Sequence, residues 1–438
     1  MRSVLRALVL VLALVAAAGP AAAQAPQDLF GLDTRGQGTA GASLVTEPGG
    51  WAAALHNPAG LGELTRMHLG WAYGYGHFGL LQVNAQDAGV LDARGVDLGL
   101  AVPLARFWKK LPFPAGVGLS LHLPDQFVVR MQAIPASEPR FILLDNYPHR
   151  LETALSLGAA PWKFLQVGFG LQMMVHLQGD DLRVGIGARS GRKFGEMMID
   201  TTIPYGVVPQ GGVILRGTFL PGALSGLRLG LFWREAYTLR VKMNIVADVD
   251  ITGVVSGDTI LFLKMIDHFT PRKISLGAAF NLPGRLDLYA GLDFMQWSAF
   301  DGGISEYRMR LDFGINPPLV EIHYPDDHFR DVSVPRAGLT LHAGPVSFSA
   351  GYAFMPSPVP AQEGLATLMD NDRHVLGLGL GVKLAEGFSL WPHPLRLQSA
   401  FQYHQLEDRT EHKTSATWPA VNHRGSLIHF TLGFETEF

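Results

Sequence analysis

The chain has 438 residues, 47% of them hydrophobic and 17% charged, with 51 Gly, 28 Pro, no Cys and a formal net charge of −3. Charged content below the usual quarter and a slightly acidic balance exclude the basic footprint of a nucleic-acid binder. The lack of cysteine excludes disulfides, thiolate chemistry and thiolate metal sites.

Residues 1–23 read as a secretory signal. Arg2 and Arg6 supply the positive start, 7–18 is an apolar run too short to span a bilayer as a helix, and Ala21-Ala22-Ala23 is a cleavage site. No later apolar run reaches 18 residues. A closed β-barrel is then the way left to cross a bilayer, because it satisfies every backbone group between strands.

Residues 24–65 form a second unit. Gly31 to Gly62 is dense in Gly, Ala and Thr, carries one short apolar stretch from Trp51 to Leu55, and ends in Asn57-Pro58-Ala59-Gly60. Small residues allow close backbone approach, which suits a segment packed inside something.

From 66 to 438 the pattern is alternation. In the first strand, 67–79, Met67, Leu69, Trp71, Tyr73 and Tyr75 share one face, and His68, Gly70, Ala72, Gly74 and Gly76 the other. An aromatic outside and a nearly bare inside suit a barrel wall with something filling the lumen. Further strands are expected at 96–104, 116–132, 151–160, 165–177, 208–219, 227–243, 273–281, 286–298, 334–342, 346–354, 373–384, 395–406 and 427–438. The total is fourteen, even as in single-chain outer-membrane barrels, and short and long connections alternate after the third strand. The last strand puts Ile428, Phe430, Leu432, Phe434 and Phe438 on one face and His429, Thr431, Gly433, Glu435 and Glu437 on the other. The expected fold is therefore all-β, a transmembrane antiparallel barrel of about fourteen strands with an N-terminal plug (hatch) in its lumen.

Gly38-Thr39-Ala40-Gly41-Ala42 and the run from Trp51 to Leu61 resemble the plug of the FadL/TodX family, outer-membrane transporters of long-chain fatty acids and hydrocarbons. Asn57, Pro58 and Ala59 match that plug's Asn-Pro-Ala core. Asp293 with Gln296-Trp297-Ser298-Ala299-Phe300, Asp370-Asn371-Asp372-Arg373-His374 and the closing strand to Phe438 are similar to other parts of the family. The resemblance implies a fourteen-stranded barrel, a monomer, and passive transport. A hydrophobic ligand binds at outer loops, passes a plug that rearranges, and leaves sideways through the wall into the outer membrane. It also implies that the barrel-assembly machinery recognises the Phe438 strand.

Particular residues divide between roles. Asn57-Pro58 is also a plain turn signal. Pro124 is either a wall break, a candidate lateral opening, or the end of its strand. Met197-Met198-Ile199 and Leu261, Phe262, Leu263 and Met265 are greasy stretches in expected loops, candidate ligand-binding residues or self-packing ones. Arg216, Arg234, Arg240 and Lys264 are the cations a carboxylate ligand would use. No nucleophile elbow or zinc-helix spacing occurs, so no catalytic residue, metal or cofactor is expected. The competing expectation is an outer-membrane porin or adhesion barrel without hydrophobic transport.

Overall fold

The computed structural model describes residues 26–31, 33–108, 110–126, 139–145, 150–175, 178–189, 192–202, 205–251, 255–282, 284–300, 306–312, 319–322, 328–364, 367–384, 393–414 and 419–438. Within 178–202, 239–268 and 306–322 it describes the backbone alone. The expected signal, 1–23, lies outside the described residues.

Fourteen antiparallel strands close into one barrel. They are β1 His68–His77, β2 Ala93–Pro103, β3 Ala115–Pro124, β4 Glu152–Trp162, β5 Leu165–Val175, β6 Tyr205–Arg216 and β7 Leu227–Arg234. The second half is β8 Arg272–Leu282, β9 Leu286–Gln296, β10 Val332–Ala343, β11 Val346–Met355, β12 Arg373–Leu384, β13 Leu395–His412 and β14 Ala420–Glu437. Each strand pairs with the next, and β1 closes the ring on β14 from His68↔Glu437 to His77↔Ile428. Closure leaves no sheet edge and satisfies the backbone between strands. All fourteen expected strands are present.

The alternation is the expected one. On β14, Phe430 and Leu432 are 47% and 52% exposed, whereas His429 and Thr431 between and beside them are 6% and 0% exposed. Leu155, Leu157, Phe169, Leu276, Phe348, Leu376 and Leu378 repeat the outward apolar row around the ring. A period of two places these side chains on one face.

Two boundaries differ from expectation. Of the third strand's expected range, 127–132 lie outside the described residues. Pro124 is its last residue, pairs with Gly95 of β2, and has no N–H to continue a ladder. The seventh strand stops at Arg234, and the chain re-enters β structure at Tyr237 in a different sheet.

That second sheet is the main correction. Among the described residues, the long connections after β5, β7 and β9, expected as loops apart from 237–243, hold six strands: Gln178–Arg189, Arg192–Thr202, Tyr237–Ile251, Val255–Thr270, Glu306–Asp312 and Leu319–Ile322. They form one sheet at the end of the barrel opposite both the first residue of β1 and the last of β14. Four of its five pairs are antiparallel, and in the fifth Tyr237–Ile251 joins Gln178–Arg189 in parallel.

Glycines line the inner wall, and the N-terminal segment fills the space they leave. Trp51 packs over Gly70 and Gly99 so closely that a Cβ at either would overlap the indole. The backbone at Pro58 lies on Gly158 and Gly168, Val45 on Gly230 and Gly277, and Thr39 on Gly338 and Gly351. Those contacts belong to β1–β2, β4–β5, β7–β8 and β10–β11, strands from all around the ring, a placement open only on its inner side. Burying Leu55 and Leu61 there contributes about 1.5–3 kcal/mol each.

Candidate functional site

The inner segment is built from short helical turns, two of them with a polar side-chain cap. Asp33 accepts from the backbone N–H of Arg35 (3.3 Å) and Gly36 (3.0 Å) and starts the turn Thr34–Gly38. Asn57 caps the 3-10 turn Pro58–Glu63, with Pro58 at its first position. The residue before a proline is pushed to extended backbone, and Asn57 sits at φ −162°, ψ 100°. Its Oδ1 accepts from Ala59 N–H at 3.2 Å. Its Nδ2 donates to the Val45 carbonyl at 2.7 Å and to the Leu231 carbonyl of β7 at 3.3 Å. The Asn-Pro-Ala sequence is thus a turn and a tether at once.

Other carbonyls of the segment are met by the wall. Ser156 Oγ and Gln210 Nε2 both donate to Ala54 O at 2.6 Å. Gln402 Nε2 donates to Phe30 O (3.1 Å) and Gln37 O (3.0 Å), and Arg336 Nη1 donates to Ala40 O (2.6 Å). A buried backbone group without a partner is costly, so these side chains fix where the segment sits.

A chain of buried charges ties its start to the wall. Arg234 Nη2 meets Asp28 Oδ2 at 2.7 Å, and Lys273 Nζ lies 3.1 Å from Asp28 Oδ1 and 3.3 Å from Asp293 Oδ2. Arg336 Nε closes it, 3.0 Å from Asp293 Oδ2. The cavity among these groups, which also touches His56, Phe232 and Gln402, measures about 30 Å³. That is water-sized, so this is a latch rather than a ligand pocket.

The two aspartates of the segment are shifted in opposite senses. Burial alone would push the Asp28 carboxyl up, but Arg234 and Lys273 overcome it and hold the group well below the ordinary carboxylate range. Burial, helped by the Glu435 carboxylate, pushes Asp33 up to about 6. A raised carboxyl stabilises the docked segment at low pH and loses that contribution as pH rises through about 6. We expect docking to loosen between pH 4 and pH 7. Asp33→Asn, which keeps a capping oxygen without the titration, should flatten that dependence in hydrogen exchange of residues 34–38.

The sequence-predicted residues are distributed as follows. Asn57, Pro58 and Ala59 are fully or almost fully buried at the heart of the segment, with Gly60 beside them. Pro124 ends β3. The ladder from β3 to β4 runs only to His122↔Glu152, two residues short of the last pair with β2.

Met197, Met198, Ile199, Leu261, Phe262, Leu263 and Met265 lie in strands of the second sheet, not in loops, and their side chains lie outside what is described. Register nevertheless orders them. Ile199, Leu182, Ile245, Leu261, Met309 and Val320 stand in one row, one per strand, and all six are apolar. Met197, Leu263 and Met265 fall on the same face by the period of two, while Met198 and Phe262 fall on the other. On that other face a neighbouring row reads Asp200, Asp181, Asn244, Phe262, Arg308 and Glu321.

Of the four candidate cations, Arg234 is committed to Asp28, and Arg216 lies 3.0 Å from Glu63 at the opposite end of the barrel. The side chains of Arg240 and Lys264 lie outside what is described.

Sequence reasoning missed an aromatic cluster at the long-connection end. Phe269, Trp297, Phe300 and Phe329 are buried together with Leu143, Val359 and Leu368. The Phe269 and Phe300 rings are 3.8 Å apart by centroid, and Phe300 and Phe329 4.4 Å. Trp297 and Phe300 belong to a motif noted in sequence. Phe269 and Phe329 are lone aromatics among polar neighbours and carried no signal.

No protein-family model matches the chain, and no characterised protein matches it in sequence. Solved structures do match in fold. A Pseudomonas aeruginosa FadL homologue superposes with a TM-score of 0.54 at 13% identity, covering 96% of this chain and 99% of its own. The toluene transporters TodX of Pseudomonas putida and TbuX of Ralstonia pickettii give 0.52 and 0.51 at 12% identity, each covering 92% of this chain and 97% of their own. At such identities the likeness establishes a shared barrel fold.

Proposed function

We propose that the chain is a passive transporter of hydrophobic small molecules in a bacterial outer membrane, with residues 24–65 as its plug. One observation carries the reading. The barrel is greasy outside, and its inner side is occupied by the chain's own segment, seated on a ring of glycines. A wide polar channel has no use for such a segment, which weighs against the porin alternative. The fold neighbours named as a FadL homologue and as toluene transporters support the same reading.

In this account the apolar face of the second sheet, marked by Met197, Ile199, Leu261, Leu263 and Met265, receives the ligand. Fatty acids and aromatic hydrocarbons are the substrate classes. Transfer from one apolar surface to the next needs no coupled energy, since each buried CH₂ contributes about 0.8 kcal/mol. Release is sideways, where β3 and β4 part above His122 and Glu152 next to Pro124. Phe438, whose N–H donates to Met67 O at 2.9 Å, ends the strand that the assembly machinery would recognise.

The test is uptake of labelled oleate, hexadecane and toluene by a deletion strain and its complemented parent. Equal uptake of all three would remove the transport reading. In the same assay Asn57→Ala should assemble normally and reduce uptake several-fold. It removes a cap worth about 1 kcal/mol and the tie to Leu231.

A further inference from the structure

At the short-turn end of the barrel a cavity of about 250 Å³ opens beside the Gly344-Pro345 turn, between the inner segment and the inner faces of β10 to β13. Its basic side chains are Arg35, His342, Lys383 and Arg396, and no carboxylate lines it. Hydroxyls and an amide complete the wall: Thr34, Thr340, Ser347, Ser349 and Gln398 among them. Gly381, paired with Ser347 on one side and Gln398 on the other, leaves the floor open.

The register sets two cations of this lining side by side. Lys383 and Arg396 are direct cross-strand partners on β12 and β13, and like charges placed opposite one another destabilise a sheet. The nearby acids are already engaged. Glu47 meets Arg35 at 2.7 Å, Asp287 meets His342 at 2.7 Å, and Glu435 meets His68 at 2.9 Å. Glu435 stands 3.9 Å from Arg396, and among the described residues no carboxylate lies within 4.0 Å of Lys383. Two adjacent cations, Lys383 exposed and Arg396 half-buried, therefore face a hydroxyl-lined cavity that opens to solvent, with little carboxylate compensation, a combination that recognises an oxyanion.

We propose that this cavity is a binding site for a phosphate group entering from the short-turn side. Lys383 supplies a point charge, Arg396 a planar fork, and Thr34 and Gln398 further donors for a tetrahedral anion. The space exceeds one phosphate, so an ester such as a glycerophosphate headgroup fits the same donors. The site does not depend on hydrophobic transport, and a failed uptake assay leaves it standing.

The experiment is calorimetric titration of the purified full chain, in a neutral detergent and phosphate-free buffer, with inorganic phosphate and with glycerol 3-phosphate. Saturable binding is expected, weakened about tenfold or more by Lys383→Gln and lost in the Lys383→Gln/Arg396→Gln pair. Lys383→Arg should retain it. Binding of both probes identifies a soluble phosphate source, and binding of the ester alone a lipid headgroup. Absence of saturable binding by either probe, or binding unchanged in the double variant, overturns the proposal. Heat-modifiable migration on gels confirms that each variant is an assembled barrel.

Discussion

Deletion of residues 26–64, with the export signal retained, is expected to leave an assembled barrel that passes small polar solutes. Assembly should survive because the ring of strands is complete without the segment. Fourteen ladders, including β1 with β14, are made by the strands alone. The lumen should open because the wall cannot refill it. Eight-stranded barrels are filled by their own side chains, while sixteen strands leave an aqueous channel. Here the inward positions at the level of the segment include Gly70, Gly99, Gly158, Gly168, Gly230, Gly277, Gly338 and Gly351, which contribute no bulk. Arabinose-driven swelling of proteoliposomes, or single-channel conductance, reads the result. The intact chain should be closed in both, and the deletion should approach porin-like permeability. A deletion barrel that stayed closed would mean the segment does not plug the lumen, and the transport proposal would lose its gate.

The barrel was legible in the sequence because two signals coincide there. Large apolar residues occupy every second position, and glycines occupy the positions between, as in Trp71, Tyr73 and Tyr75 alternating with Gly70, Gly74 and Gly76. The second sheet was not legible for a physical reason. In Ile260-Leu261-Phe262-Leu263 apolar residues are consecutive, so periodicity cannot tell a strand from a self-packed loop. Only pairing reveals that Leu261 belongs with Ile245, and Ile245 with Leu182. The 227–243 strand misled in the opposite way. Alternation continues across Glu235-Ala236, although the chain changes sheets there. Asn57-Pro58-Ala59 was legible as a turn, but its bond to Leu231 spans 174 residues and leaves no local trace. The same holds for Asp28 and Arg234, 206 residues apart.

That last pair carries the second large effect. Asp28→Asn is expected to unlatch the inner segment while sparing the barrel. Both side chains are almost completely buried, 1% and 2% exposed. Removing one member of a buried pair leaves the other charge without compensation, at a cost of about 3–5 kcal/mol. Lys273 is protected by its second partner Asp293, so the penalty concentrates on Arg234. If the latch is what holds the segment, the open fraction should rise by two to three orders of magnitude, seen as polar leak or as hydrogen exchange of residues 28–40. The ladders of β1 to β14 do not involve these side chains, and the barrel's heat resistance should be unchanged. Arg234→Met together with Asp28→Leu replaces the pair by apolar bulk. It should recover much of the closure that the single change loses, because a buried ion pair stabilises little relative to well-packed hydrophobes. The pH dependence supplies an independent check. With the Asp28 carboxyl held below its ordinary value near 3.8, its contribution is complete above that pH and is lost only as pH falls beneath it. A leak that appeared in the parent protein between pH 4 and pH 7 and vanished in Asp33→Asn would belong to the cap. One that appeared only below pH 4 and was already present at neutral pH in Asp28→Asn would belong to the latch.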